Sequence, residues 1–267
     1  MSYKIEIYGL SNIGRVREKN EDSFCFDAEL GFMIVGDGMG GHKRGDVASK
    51  MATSIVYEKY KEMILNKMKP EIINKDYFVE TNILIWAFDY ANSVIWNKSQ
   101  ENEEFKGMGT TLTSCVFYDK NRFSIVHIGD SRVYLVRDNK ILQLTEDDSF
   151  VMEQYRSGAI TLEETKRSSY RNVLTKAIGA KQYNSYFVYQ GKVKGNDIFL
   201  LTTDGLTRGV DENEIFEIVN SNAFGPDTVR KLIDTANKKD GSDNITVVMA
   251  RVNVSGFDLI FDKILTK

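Results

Sequence analysis

The chain has 267 residues, 42% of them apolar and 27% charged, with a formal net charge of -3. That length supports one large buried core or two small ones, and the composition is that of a folded globular protein. The slightly acidic balance argues against a nucleic acid or an anionic membrane as partner, because both select a basic face.

In chain order, Lys4 to Tyr8 alternates polar and apolar residues, the period of a half-buried strand. Phe32-Met33-Ile34-Val35 is an apolar run ending in Gly36-Asp37-Gly38. After Gly45-Asp46, apolar residues at Val47, Ala48, Met51, Ala52, Ile55 and Val56 predict an amphipathic helix, with Asp46 as a candidate cap. Ile83, Leu84, Ala87, Phe88, Ala91, Val94 and Ile95 predict a second helix with a core-facing stripe. Short strands are expected at Thr111–Tyr118, Phe123–Ile128, Val133–Val136 and Ile141–Leu144. Asp119-Lys120-Asn121 and Asp138-Asn139 supply turn signals between them. Further strands are expected at Tyr186–Tyr189, Ile198–Thr202 and Ile245–Val252. Asp211 and Glu214 have capping-box spacing before Ile215, and Pro226 opens a helix carrying Val229, Leu232, Ile233 and Ala236. Strand runs with grouped helices indicate an α+β fold of packed antiparallel sheets flanked by helices.

Pro70 and Pro226 are the only prolines and no linker composition divides the chain, so a single domain over 1–267 is expected. The opening MSYKIEIYGLSNIG lacks a basic stretch followed by an apolar one, and the longest apolar runs fall short of the roughly 18 residues of a spanning helix. A soluble, cytoplasmic protein is expected. Cys25 and Cys115 are too few for a metal cage or a disulfide framework and read as free thiols.

The informative pattern is the placement of acids at strand ends: Asn20-Glu21-Asp22, Gly36-Asp37-Gly38, Gly129-Asp130-Ser131-Arg132, Thr203-Asp204-Gly205 and Ser242-Asp243-Asn244. Converging carboxylates repel unless a cation stands among them, and hard divalent ions take oxygen ligands. Each segment alone reads more as a turn than as a ligand, and the five together, by spacing alone, leave turn and metal site evenly balanced.

At these residues the sequence resembles the metal-dependent protein Ser/Thr phosphatases of type 2C in their bacterial form. The resemblance runs in order through residues 14–23, Asp37-Gly38-Met39-Gly40-Gly41-His42, Gly109-Thr110-Thr111-Leu112, Gly129-Asp130-Ser131-Arg132, Thr203-Asp204-Gly205-Leu206 and residues 241–246. It implies an α-β-β-α sandwich and hydrolysis of phosphoserine and phosphothreonine by direct attack of a hydroxide bridging two Mn²⁺ or Mg²⁺ ions. By matching position, Asp37 resembles the bridging carboxylate, and Asp204 and Asp243 resemble ligands of the first ion. Glu21 and the Gly38 carbonyl resemble partners of the second ion, and Asp22 resembles an acid orienting metal-bound water. Asp130 and Asp204 resemble ligands of a third, weaker ion, and Arg17 resembles the phosphate-binding arginine. Phosphorylated proteins, among them a cognate Ser/Thr kinase and its substrates, are implied as partners, and a monomer is expected.

Two departures, and one histidine inside a strand, bear on the chemistry. Met39 stands where animal members carry a histidine, leaving His42 either as a proton donor at the site mouth or as a residue packing at the start of the next helix. His127, inside a strand, reads as a hydrogen-bonded core residue. The segment 146–172 resembles the flap subdomain beside the bacterial site, but Asp147-Asp148-Ser149 replaces the usual Asp-His-Ser. A catalytically weak phosphatase-like binding protein and a small-phosphoester hydrolase are the alternatives.

Overall fold

The computed structural model describes residues 3–39, 44–101, 103–119 and 121–254. Its strands are β1 (Tyr3–Asn12), β2 (Asp22–Asp27), β3 (Phe32–Met39), β4 (Gly109–Thr110), β5 (Leu112–Tyr118), β6 (Arg122–Ile128), β7 (Arg132–Arg137), β8 (Lys140–Gln143), β9 (Phe187–Lys192), β10 (Ile198–Thr202) and β11 (Ile245–Val254). The helices are α1 (Gly45–Leu65), α2 (Val79–Glu101), α3 (Phe150–Arg156), α4 (Leu162–Arg167), α5 (Asp204–Gly209), α6 (Glu212–Ser221) and α7 (Pro226–Lys239).

Two antiparallel sheets result, ordered β1-β11-β10-β7-β8 and β2-β3-β5-β6-β9, with β4 paired to the end of β3. Side-chain alternation makes three apolar layers of them. Met33, Val35, Cys115, Phe199, Leu201, Val248 and Ala250 pack between the sheets. Phe32, Ile34, Leu112 and Val126 face α1 and α2 through Ala48, Ala52, Leu84 and Phe88. On the other side Tyr134, Leu200, Val247 and Met249 meet Leu206, Ile215, Leu232 and Ile233 of α5–α7. The expected α-β-β-α sandwich is observed. Its central strands read as unbroken apolar runs because both of their faces are covered.

Several local expectations change. β2 lies at a sheet edge, most of its residues are only half-buried, and its short DSFCFD segment carried no strand signal. β3 continues through Gly36-Asp37-Gly38 to Met39, so Asp37 sits inside a strand. Asp46 does not cap α1. The preceding Arg44, at φ 64°, takes the N-cap position and Asp46 lies in the first turn. The Asp211–Glu214 spacing yields half a capping box: the Asp211 side chain accepts from the Glu214 N–H, while Glu214 pairs with Lys239. A complete box forms at Thr161–Glu164, starting α4. The β7–β8 hairpin turns through Asp138 and Asn139, both at positive φ, as the type I′ geometry requires. Both cysteines are free. Among the described residues no helix is long and apolar enough to cross a membrane.

Candidate active site

The acids gather where the inter-sheet layer meets solvent. On β3 the positions facing the other sheet are Met33 and Val35, and the next residue of that parity is Asp37. On β2, Phe24 packs in the same layer and Asp22 shares its parity. The register pairs Asp22 directly with Asp37. Asp130 follows β6, Asp204 follows β10, and Asp243 precedes β11. Antiparallel order brings these strand ends, some N-terminal and some C-terminal, to one rim of the sandwich.

Hydroxyls and amides hold the acids in place. Thr203 and Thr246 donate to Asp22 Oδ2 at 2.8 and 2.7 Å. Thr111 Oγ1 accepts from the Asp37 N–H at 2.9 Å, and Thr110 donates to the Asp37 carbonyl at 2.9 Å. Asn244 ties down the loop before β2. Its Oδ1 accepts from the Glu21 N–H at 2.8 Å, and its Nδ2 donates to the carbonyls of Ile13 and Lys19, each at 2.9 Å. A Cβ on Gly38 would stand 2.2 Å from the Gly45 carbonyl oxygen, so only glycine lets the start of α1 approach β3. A Cβ on Gly45 would lie 2.9 Å from both Glu21 Oε1 and the Gly38 carbonyl oxygen, so those two oxygens face one small space.

The electrostatics follow from burial and crowding. Burial, then the charges of Asp22 and Asp204, push the Asp37 carboxyl well above the usual carboxylate range. Asp22 is raised by burial to about 7, against the pull of its two threonine hydrogen bonds. Burial and the charges of Asp204 and Asp147 raise Asp130. Asp204 is raised by burial despite Arg208 beside it. Glu21 is raised by burial and by Asp46. Such a cluster holds protons or a cation.

Two atoms favour the cation. Asp22 Oδ1 and Asp204 Oδ1 are buried acceptors without a hydrogen-bond partner. These two oxygens, and separately the Glu21–Gly38 oxygen pair, are hard donors of the kind that suits Mg²⁺ or Mn²⁺. Among the described residues no three acidic, histidine or cysteine side chains stand together as a ready-made metal-holding group. A site with this few protein donors leaves room for water in an ion's shell.

Arg17 does not stand free. Its Nε and Nη2 lie 2.9 Å from Asp243 Oδ1 and Oδ2. Arg208, which the sequence analysis did not single out, pairs with both Asp204 and Asp243. Its signal was the i, i+4 spacing from Asp204, which counts only once Asp204 is known to start a helix. Met39 pairs with Gly109 in the sheet. His42 lies outside the described residues. His127 is fully buried: Nδ1 is 2.7 Å from Thr113 Oγ1 and Nε2 is 3.1 Å from the Glu146 carbonyl, a hydrogen-bonded core histidine as expected.

The segment 146–172 is rooted next to Asp130. Asp147 takes a two-pronged bond from Arg132, with Nε to Oδ1 at 3.0 Å and Nη2 to Oδ2 at 2.7 Å. Asp148 accepts from the Gly129 N–H at 3.2 Å and pairs with Lys176 at 2.8 Å. Between this segment and the strand ends lies a cleft of about 430 Å³, lined in part by Asp130, Arg171, Asp204, Arg208 and Asp240.

Residues 14–247 match the family model described as protein phosphatase 2C. The chain is 34% identical over 244 residues to the serine/threonine phosphatase stp of Listeria welshimeri, covering 90% of this chain and 93% of that one. The crystal structure of the serine/threonine phosphatase Stp1 from Staphylococcus aureus superposes with a TM-score of 0.83 at 30% identity, over 94% of this chain and 96% of that one. The catalytic domain of the serine/threonine protein phosphatase PstP in complex with two manganese ions gives 0.80 at 31% identity, over 95% and 100%.

Proposed function

Because the chain belongs to the protein phosphatase 2C family and is a serine/threonine phosphatase of that type, we propose that the acidic rim of the sandwich is its catalytic centre and works with Mn²⁺ or Mg²⁺. One observation carries this reading: two buried carboxylate oxygens, Asp22 Oδ1 and Asp204 Oδ1, have no hydrogen-bond partner in a cluster of raised carboxyls. The manganese ions bound to the PstP relative support the choice of ion.

In this reading Asp37, Asp204 and Asp243 would hold a first ion, and Asp37 with Glu21 and the Gly38 carbonyl would hold a second. Asp22 orients water, anchored by Thr203 and Thr246. Asp130 and Asp204 attend a third position. When bound, the ions supply hydroxide near neutral pH and positive charge beside the phosphoryl group. Arg17 receives the substrate phosphate through its planar fork, which exchanges Asp243 for phosphate oxygens. At 49% exposure Arg17 is the part of that ion pair facing solvent, from which a phosphoprotein arrives.

The substrates are phosphoserine and phosphothreonine side chains of proteins, with a cognate kinase and its targets among them. Residues 1–267 form one catalytic domain in which 146–172 is the flap, and the protein works as a monomer in the cytoplasm. Phosphate release from phosphothreonine peptides and from small phosphoesters, measured with Mn²⁺ and with chelator, tests the reading. Chelator-sensitive turnover of the peptides is expected, together with its loss in Asp204→Asn. Turnover confined to small phosphoesters, or full activity in Asp204→Asn, would contradict it.

A further inference from the structure

Arg208 lies one helical turn after Asp204 on α5. Its Nε donates to Asp204 Oδ2 at 3.1 Å, its Nη2 donates to the same oxygen, and its Nη2 also stands 3.1 Å from Asp243 Oδ2. The two carboxylates assigned to the first ion are therefore already bridged by a cation that is part of the chain. The three side chains are 21%, 17% and 13% exposed, so solvent screens this bridge far less than it screens Arg17. Arg208 takes only Oδ2 of Asp204 and leaves the buried Oδ1 without a partner.

We propose that Arg208 is a tethered counter-cation of the first-ion site: it neutralises Asp204 and Asp243 in the metal-free protein and competes with the divalent ion for them, so that it sets the metal affinity. This rests on the assignment of Asp204 and Asp243 as ligands of that ion. A divalent ion and a guanidinium repel at the short distances these carboxylates impose, so binding of one displaces the other. The displaced guanidinium has somewhere to go. Asp211 and Asp240 line the same cleft as Arg208, and the Arg208 charge already helps hold the Asp240 carboxyl below its usual range, behind the Ser242 hydrogen bond. Rotation of the side chain about its own bonds brings it towards these acids without moving α5.

Calorimetric titration of the full chain with Mn²⁺ tests this, run alongside thermal melts with and without the metal. Arg208→Gln is expected to bind Mn²⁺ about ten-fold more tightly than the unaltered protein, from the loss of one competing charge at contact distance. Its metal-free form should melt lower and gain more from Mn²⁺. Arg208→Lys keeps the charge but loses the fork that spans both acids, and should fall between the two. Equal or weaker Mn²⁺ binding by folded Arg208→Gln would overturn the proposal. Should that variant fail to fold without metal, Arg208→Lys decides: tighter binding than the unaltered protein supports competition, and equal or weaker binding overturns it. Asp204→Asn separates the layers of the argument. Undiminished Mn²⁺ affinity there removes the ligand assignment and the competition with it. Lost affinity there, with no change in Arg208→Gln, removes the role of Arg208 alone.

Discussion

Asp22 and Asp37 face each other across the β2–β3 register, two carboxylates on one face of the sheet at a position where like charges destabilise. The fold tolerates the pair because both carboxyls are raised, and Asp22 to about 7. A divalent ion offsets the same repulsion. Mn²⁺ at a hundred times its dissociation constant should therefore stabilise the protein by about 2.7 kcal/mol. Asp37→Asn should melt higher than the unaltered protein in chelator and lose most of the Mn²⁺ response. Differential scanning calorimetry at neutral pH measures both, and a full metal response in Asp37→Asn would count against this account.

Asn244 acts on the site from behind. Its amide bonds Glu21, Ile13 and Lys19, and so fixes the loop that carries Arg17 and Glu21 against the base of β11. Asn244→Ala should cost about 2 kcal/mol through backbone groups left without partners. It should also weaken Mn²⁺ binding, although Asn244 itself is not assigned to an ion. Urea denaturation and a metal titration check the two parts separately.

The Arg132–Asp147 pair anchors the segment proposed as the flap to β7 beside Asp130. Asp147 is 9% exposed in its side chain, so removal of Arg132 leaves a buried charge unpaired. Arg132→Ala should cost about 3 kcal/mol and loosen the root of the flap. Limited proteolysis should then cut within 150–171 faster than elsewhere. Uniform acceleration of cutting along the chain would point to general unfolding instead.

His127 gives the stability a dependence on acid. Burial holds its pKa below 6.5, although Asp147 and Asp148 pull upwards. The folded state therefore favours neutral imidazole, with Nε2–H donated to the Glu146 carbonyl and Nδ1 accepting from Thr113. The unfolded chain takes up its proton first as pH falls. The contribution of His127 is thus complete above its unfolded pKa of about 6.5 and is lost as pH drops through the lower folded value. Denaturation midpoints between pH 7.5 and 5.5 should fall more steeply for the unaltered protein than for His127→Gln. Parallel slopes would sink this assignment.

The fold was legible wherever a segment had a buried face. Strands β3, β5, β6, β7, β10 and β11 announce themselves as apolar runs because sheets and helices cover them on both sides. Helices α1, α2, α6 and α7 show their stripes for the same reason. Edge strand β2 and the short helices α3, α4 and α5 bury too little to leave a period. Asp46 looked like a cap because Asp before an apolar run usually is one, but the positive φ of Arg44 shifts the start of α1 by two residues.

By itself the sequence determined which acids are present, which lie beside glycine or asparagine, and which strands other than β2 deliver them, since these follow from residue identity and short-range period. Only the tertiary structure decided that Asp22 opposes Asp37, that Asn244 holds the Glu21 loop, and that Arg17 and Arg208 converge on Asp243. Those contacts join residues as far as 226 positions apart. No local pattern encodes them, because their geometry comes from two sheets closing on a shared apolar layer and meeting at one rim.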